Sequence, residues 1–363
     1  MDFGLSAEQL LLEESLGGLL DARAPTQRAR ALAAADDAFD PDLWQAVVGL
    51  GVTGILVPVE HGGSGLGLLD AAVAAWTVGA RATPLPFLGT TVMAPVALRT
   101  AGTPEQQGRY LPRIVRGELR IGIAATEAIS KRDGAGIRRD GGVLTGSALF
   151  VIDAESADVF LIAVEDGSLA LLPRDARGLE VRRLVTVDRT RRVGELVLGS
   201  VPVAEWLGAA PDTAAQATRR MIDAGRLMLA ADALGAADRA LALAVEWAKT
   251  RRQFGRTIGS FQAVKHLCAE MAAAIEPARS LLWWAAHAFD HLPDEAALAA
   301  THAKAHLTEV ASQVVRTATE VHGGTGFTAE CDVQLFFKRA ALDRHLLGSP
   351  ALLREHAARL QGL

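Results

Sequence analysis

The stretch Thr250–Met271, TRRQFGRTIGSFQAVKHLCAEM, joins two apolar helices through a corner that holds Arg251, Arg252, Phe254 and Gln262. Gly255 and Gly259 allow the chain to turn there. Arginines set into a corner between apolar helices are costly to bury without an anionic partner. The corner is therefore either an anion site or a solvated turn whose Arg252 and Arg256 face water. Phe254 is expected to be buried there. Local chemistry alone favours the solvated turn, so the rest of the chain has to decide.

On either side of the corner the sequence is helical. Met221–Lys249 is rich in Ala and Leu, nearly apolar all round, and predicts a helix buried inside a bundle. Phe261–Phe289 and Glu295–Val321 predict two further long helices, and the last elements follow His322-Gly323-Gly324-Thr325-Gly326-Phe327. The first third is helical too. Ser6 with Gln9 forms a capping box ahead of Leu10–Leu20, Asp40-Pro41 opens a helix through Val48, and Thr103-Pro104-Glu105-Gln106 opens another. The Gly-rich turn His61–Gly67 lacks the lysine and the strand–loop–helix context of a phosphate loop, and reads as a tight connector.

Between these helical parts the texture changes. Ile121–Thr126, Val143–Ile152, Val159–Val164, Ser168–Leu172, Leu179–Val187 and Glu195–Val201 are short and apolar or β-branched, with turn residues between them. That pattern predicts a compact all-β unit ending near Pro202. The expected fold class is α+β: an N-terminal helical domain over residues 1–118, a β-barrel or sandwich domain over 119–212, and a C-terminal four-helix bundle over 213–363.

Composition narrows the function. The 363 residues are 50% hydrophobic and 22% charged, with a net charge of −5, which argues against nucleic acid or an anionic membrane surface as partner. Two cysteines, Cys268 and Cys331, lack metal-ligand spacing and exclude a disulfide framework. The start MDFGLSAEQ has no signal-peptide pattern and no segment reads as a membrane span, so a cytoplasmic protein is expected.

In order and spacing, several motifs resemble the acyl-CoA dehydrogenase family across essentially the whole chain. They are Arg251-Arg252-Gln253-Phe254-Gly255 with Ile258, Phe261 and Gln262, then Val321–Phe327, Val57–Gly63 and Asp188-Arg189-Thr190-Arg191. The resemblance implies FAD, an acyl-CoA thioester substrate, assembly into dimers or tetramers, and an electron-transfer flavoprotein or similar acceptor. It also implies proton abstraction alpha to the thioester by a carboxylate, with hydride transfer from the beta carbon to the flavin. Arg251 and Phe254 match residues that reach the FAD pyrophosphate across a subunit interface, and Gln262 matches another cofactor contact. Gly323 and Gly324 match a loop whose backbone approaches the neighbouring subunit's FAD.

The departures are as informative. Glu320 stands where the family usually has Gln. The family's Thr-Glu-Pro-Gly-Ala-Gly-Ser-Asp appears as Thr126-Glu127-Ala128-Ile129-Ser130-Lys131-Arg132-Asp133, which keeps the Thr126 cofactor position but replaces the small centre. Phe150-Val151-Ile152 replaces Trp-Ile-Thr, so Ile152 offers no side-chain donor. The usual catalytic glutamate falls on Leu347, and an alternative base position falls on Gly225. Asp223, two residues before Gly225 and so about 200° round the helix, and Asp343, one turn before Leu347, are the remaining carboxylates nearby.

A retained clamp without a base resembles one subunit of the heteromeric acyl-CoA dehydrogenases that act on steroid CoA thioesters. In these a homologous partner in a heterotetramer supplies base and flavin pocket. A self-sufficient homotetramer with an atypical base and a non-catalytic scaffold are the alternatives. Other residues carry blander expectations. His266 and His302 read as ordinary helix histidines, Trp283 and Trp284 as bundle packing, and Lys338 and Arg339 as facing solvent or an interface. Asp188 and Arg191 are expected to pair locally. Ala230, Ala231 and Gly235 suit either a wide acyl pocket or close helix packing.

Overall fold

The computed structural model describes residues 4–35, 39–130, 132–208 and 211–363. The helical N-terminal part comprises α1 (Ala7–Arg23), α2 (Thr26–Ala34), α3 (Pro41–Gly49), α4 (Leu68–Gly79), α5 (Ala94–Ala101) and α6 (Pro104–Val115). The expected capping box forms, Ser6 Oγ accepting from Gln9 N at 3.2 Å, and the expected capped start at Thr103 is a second such box, Thr103 Oγ1 accepting from Gln106 N at 3.2 Å. Helix α2 has no counterpart among the sequence expectations, because TQRARALAA carries little apolar periodicity. A π-helical turn over Leu88–Met93, fully buried, runs directly into α5.

The strands are β1 (Ile121–Ala124), β2 (Gly136–Asp140), β3 (Val143–Ile152), β4 (Val159–Ala163), β5 (Leu169–Pro173), β6 (Leu179–Arg183), β7 (Val193–Pro202) and β8 (Glu205–Leu207). They form one eight-stranded mixed sheet in the order β6-β7-β3-β1-β4-β5-β8, with β2 paired to β3. The sheet is mixed because β1 and β4 run parallel, Ile121 opposite Val159, while the other pairs are antiparallel. It extends to Leu207, five residues past the expected end at Pro202, because Glu205 and Trp206 pair with Leu171 and Ala170. Leu144, Val151, Phe160, Leu172 and Leu196, all buried, give this unit a core of its own.

Beyond it come α7 (Pro211–Thr250), a two-stranded ribbon of β9 (Arg252–Gln253) and β10 (Arg256–Thr257), α8 (Gln262–His291), α9 (Pro293–His322), α10 (Val333–His345) and α11 (Pro350–Leu360). Helix α7 is the central post of the molecule. It packs against α4 and α5 of the N-terminal part as well as α8, α9 and α10. Its crossing with α4 is very close: a Cβ on Gly235 would lie 2.1 Å from the Trp76 carbonyl oxygen, and one on Gly79 would lie 2.1 Å from that of Asp232. Gly235 therefore serves close helix packing rather than an open acyl pocket, and Ala230 and Ala231 are fully buried beside it.

Candidate functional site

The Arg251 corner is a two-residue hairpin. Gln253 pairs with Arg256 and Arg252 with Thr257, leaving Phe254 and Gly255 as the turn. Both have positive φ, 52° and 78°, as the favoured two-residue hairpin turn demands. Phe254 in that conformation is strained, and it is 91% exposed, which corrects the expectation that it is buried. A two-residue turn projects its side chains away from the helices, so no core is within reach. Among the described residues the one ring that Phe254 meets is Phe261, edge-on, with centroids 6.1 Å apart. Arg252 donates to the Gly255 carbonyl at 3.1 Å and Arg256 lies over the Phe261 ring at 4.1 Å, both exposed.

The corner and the glycine loop are joined by a stack. The Arg251 guanidinium sits 5.7 Å from the Trp247 ring, and Trp247 stacks on His322 with centroids 5.4 Å apart. His322 is buried and fixed by Nδ1 against the Ala318 carbonyl at 2.7 Å. Immediately after it, Gly323 turns with φ 62°, and Cβ atoms placed on Gly323 or Gly324 would meet nothing within 4 Å. Gln262 opens α8, its amide 3.5 Å from His266 Nε2. Arg251 and the Gly323–Gly324 loop, joined through Trp247 and His322, thus make an open, cationic surface suited to a diphosphate. Phe327, four residues after Gly323, is likewise exposed, at 76%.

Glu320 is exposed on α9 and lines a groove of about 660 Å³ with Arg316, Phe337, Arg344 and His345. Its carboxylate therefore shares a groove with two guanidinium groups.

The two base positions meet in space. Leu347 is 1% exposed with φ 55°, and a Cβ on Gly225 would lie 2.6 Å from Leu347 Cδ1 and 2.8 Å from the Met93 sulfur. The place where a carboxylate would work is thus filled by a leucine and by a methionine at the end of the π-helical turn. Arg226 holds this arrangement, its Nε donating to the Leu347 carbonyl at 3.2 Å and its Nη1 to Asp223 at 2.9 Å. Burial pushes the Asp223 carboxyl up to about 6 despite that guanidinium.

Asp343 belongs elsewhere. It is fully buried and accepts from Arg191 Nε at 3.0 Å, in a cluster where Arg191 also meets Asp232 at 3.0 Å. Arg339 donates to both Asp232 oxygens at 2.7 and 2.8 Å and to Thr190 Oγ1 at 2.9 Å. Two expectations are corrected here. Arg339 is 2% exposed rather than facing solvent or an interface, because Asp232 on α7 requires a countercharge. Arg191 reaches α7 and α10 instead of pairing with Asp188, which bonds Thr190. Burial works to raise the Asp232 carboxyl, but Arg339 and Arg191 outweigh it and bring it to about 2. Burial holds Asp343 well above the usual carboxylate range. Lys304, fully buried on α9, donates to the Asp343 carbonyl at 2.6 Å and is brought down to about 7 by burial.

Thr126 lines a different place, a cavity of about 240 Å³ shared with Ile129, Phe150, Leu346, Gly348 and Ser349. Asp223 and Asp343 do not line it. Arg132 partly fills it, lying 5.2 Å from the Phe150 ring and ion-paired to Glu127 at 2.6 Å; Lys131, between Ser130 and Arg132, is outside the described residues. Ile152 is buried at 1% exposure on β3. The volume is below the roughly 300–1,000 Å³ of ordinary ligand pockets, and the walls are mostly apolar. This cavity thus offers a flavin ring less room and fewer donors than an ordinary ligand pocket, whereas the Arg251 surface carries the cationic groups that suit a diphosphate.

Sequence reasoning missed three residues that shape these places. Trp247 lies one turn before Arg251 and its stacking was accessible from helical spacing. Met93 and Arg226 gave no such signal, since both act across contacts distant in the chain. His266 and His302 are exposed, and among the described residues no cluster of His, Cys, Asp and Glu could hold a metal. Trp283 and Trp284 pack against the bundle core. No helix among the described residues is long and apolar enough to cross a membrane.

Comparison with known proteins agrees along the whole chain. Residues 6–118 match the model of the acyl-CoA dehydrogenase N-terminal domain, and residues 215–361 that of the C-terminal domain. Acyl-CoA dehydrogenase IpdE2 of Mycolicibacterium smegmatis is 32% identical over 359 residues, which is 98% of this chain and 99% of that protein. IpdE2 of Mycobacterium tuberculosis is 33% identical over 355 residues, 98% of this chain and 96% of that one. Among solved structures, a variant of the Tcur3481-Tcur3483 steroid ACAD superposes with TM-score 0.88 at 31% identity, covering 98% of both chains. The ChsE4-ChsE5 complex of Mycobacterium tuberculosis superposes with TM-score 0.89 at 27% identity, covering 100% of this chain and 99% of that one. The chain belongs to the acyl-CoA dehydrogenase family, oxidoreductases that act on CH–CH donors and are generally FAD-dependent.

Proposed function

We propose that this chain is the subunit of a heteromeric acyl-CoA dehydrogenase that supplies no base and completes FAD binding for a homologous partner. The observation that carries the proposal is the contact of Gly225, Leu347 and Met93, which leaves both base positions apolar and closed. A proton alpha to a thioester cannot be removed by such a site. The constricted Thr126 cavity supports the same conclusion for the flavin ring. Against these losses, Arg251, Gly323 and Gly324 face outward, as do the exposed Phe254 and Phe327, where a neighbouring chain would dock.

In the assembled enzyme FAD would accept the hydride and pass electrons to an electron-transfer flavoprotein or similar acceptor. Arg251 would neutralise its diphosphate, the backbone of Gly323 and Gly324 would approach it closely, and Gln262 and Glu320 would flank it. Asp223 and Asp343 act in this reading as ion-pair members that hold the Leu347 segment and the β-sheet unit on α7. The substrate class is a bulky, steroid-derived acyl-CoA, a reading supported by the solved structure at 31% identity that bears the name steroid ACAD; the ChsE4-ChsE5 structure is likewise a complex of two named chains.

The test is to purify the chain alone and co-expressed with a homologous subunit that carries glutamate at the base position. Flavin per chain and acyl-CoA-dependent dye reduction are then measured. Flavin and turnover only in the mixed assembly are expected. Stoichiometric FAD and turnover in the chain by itself would sink the idea. Loss of that turnover in Asp223→Asn or Asp343→Asn would then establish the self-sufficient alternative.

A further inference from the structure

Arg251 is exposed, and its guanidinium makes no hydrogen bond or ion pair among the described residues. Such a side chain samples many rotamers, and ordering it on an anion costs conformational entropy. One contact restrains it. The Arg251 amide donates to the Trp247 carbonyl at 2.8 Å and closes the last turn of α7, so the two side chains share a helix face. The guanidinium carbon lies 5.7 Å from the centre of the Trp247 ring, within cation–π reach.

The ring is itself held. Trp247 is half-buried, packs against the bundle core and stacks on His322, with centroids 5.4 Å apart and planes inclined by 21°. His322 is fixed in turn: a carbonyl only accepts, so Nδ1 carries the proton and donates to Ala318 at 2.7 Å. The glycine loop is folded onto the same residue. A Cβ on Gly326 would lie 3.0 Å from His322 Cβ and 2.5 Å from the Thr319 carbonyl oxygen, and the Gly326 carbonyl accepts from Gln334 Nε2. A continuous set of contacts thus runs from the arginine at the end of α7 to the loop at the end of α9.

We infer that Trp247 and His322 are positioning residues for the FAD diphosphate: the Trp247 ring holds the Arg251 guanidinium in its binding pose, and His322 fixes that ring relative to Gly323 and Gly324. The inference rests on the diphosphate role proposed above for the Arg251 surface. Restraint before binding raises affinity by reducing the ordering that binding requires. Trp247 acts through Arg251, so removing the ring matters only while the arginine is present. A general packing role would not produce that dependence.

FAD affinity is measured by fluorescence titration of the mixed assembly stripped of flavin, and of the chain alone. In the assembly Trp247→Leu weakens binding roughly three- to tenfold, whereas Trp247→Phe, which keeps an aromatic ring, weakens it by less than about twofold. His322→Ala weakens it by about threefold, and His322→Phe restores it. In an Arg251→Ala background, Trp247→Leu adds less than about twofold. Unchanged affinity in a folded Trp247→Leu, while Arg251→Ala alone weakens binding, overturns the inference and leaves the clamp standing. Equal losses from Trp247→Leu with and without Arg251 overturn it too. Where Trp247→Leu fails to fold, unchanged affinity in His322→Ala does so. Unchanged affinity in Arg251→Ala overturns the clamp and this inference together. Saturable binding by the chain alone, with the same pattern among the variants, supports the inference and removes only the heteromeric role.

Discussion

The Arg251 corner and the Leu347 pocket have opposite physics within one bundle. At the corner, charged and aromatic groups face outward on a strained two-residue turn, with Phe254 at φ 52° and 91% exposed. A lone chain gains nothing from that arrangement, so its rationale lies in what docks there. At Leu347 the backbone is also left-handed, φ 55°, but the side chain is buried against Gly225 and Met93. In the proposed assembly, strain at one place is kept for a partner; at the other it is absorbed by packing. The family fold is thus retained in full, and the proposed function follows from the separation of its two functional halves.

The contrast can be broken most forcefully at Leu347. Replacing it with glutamate restores the family carboxylate on paper but places a charge against Met93 and the Gly225 backbone. We expect Leu347→Glu to destabilise the chain by about 3–5 kcal/mol, the cost of an uncompensated buried charge, and to confer no dehydrogenation on the isolated chain. Chemical denaturation and dye reduction check both halves. A folded, active variant would show that the pocket is only a substitution away from catalysis.

A slightly smaller effect is expected from two buried carboxyls, Asp223 and Asp153. Asp223 and Asp153, whose Oδ2 accepts from the Gly89 amide at 2.7 Å, are both held at about 6 by burial, above the 3.8 of a free carboxyl. The folded chain therefore binds these protons more tightly than the unfolded one, so their ionisation opposes folding above pH 6 and the penalty fades as pH falls towards 4. Each contributes on the order of 3 kcal/mol across that window. Asp223→Asn and Asp153→Asn should flatten the rise in stability between pH 6 and 4, measured by thermal unfolding at each pH. An unchanged slope would mean that Arg226 and the Gly89 amide keep these groups ionised.

At the corner, Arg251→Ala should leave folding intact but weaken FAD retention by the assembled complex. The loss of a charge-assisted hydrogen bond is about 1.5–3 kcal/mol, roughly 10- to 100-fold in affinity. Fluorescence of released flavin on dilution reads this directly, and unaltered retention would remove Arg251 from the clamp. The smallest effect is at Phe254. Because it touches little besides Phe261, Phe254→Ala should shift the stability of the isolated chain by less than about 0.5 kcal/mol, while weakening association with the partner in sedimentation experiments.

Much of the architecture was legible because its signals are local. Capping boxes at Ser6 and Thr103, the alternating strand texture after Arg120 and the apolar run of α7 depend on neighbours a few residues apart. The order of the motifs around Arg251 and His322 likewise identified the family. Exposure was less legible: Phe254 looks like a core residue until the hairpin places it at a tip, and Arg339 looks like a surface residue until Asp232 meets it.

By itself the sequence determined the succession of helical, β and helical units, the family, and the absence of a carboxylate at Leu347 and Gly225. Only the tertiary structure decided what fills that vacancy, which cation answers which buried aspartate, and how Trp247 joins the arginine corner to the glycine loop. Identity and short-range periodicity are written residue by residue along the chain. Contacts such as Met93 with Gly225, or Arg339 with Asp232, arise when helices distant in sequence cross, and side-chain burial and charge pairing take their values from that crossing.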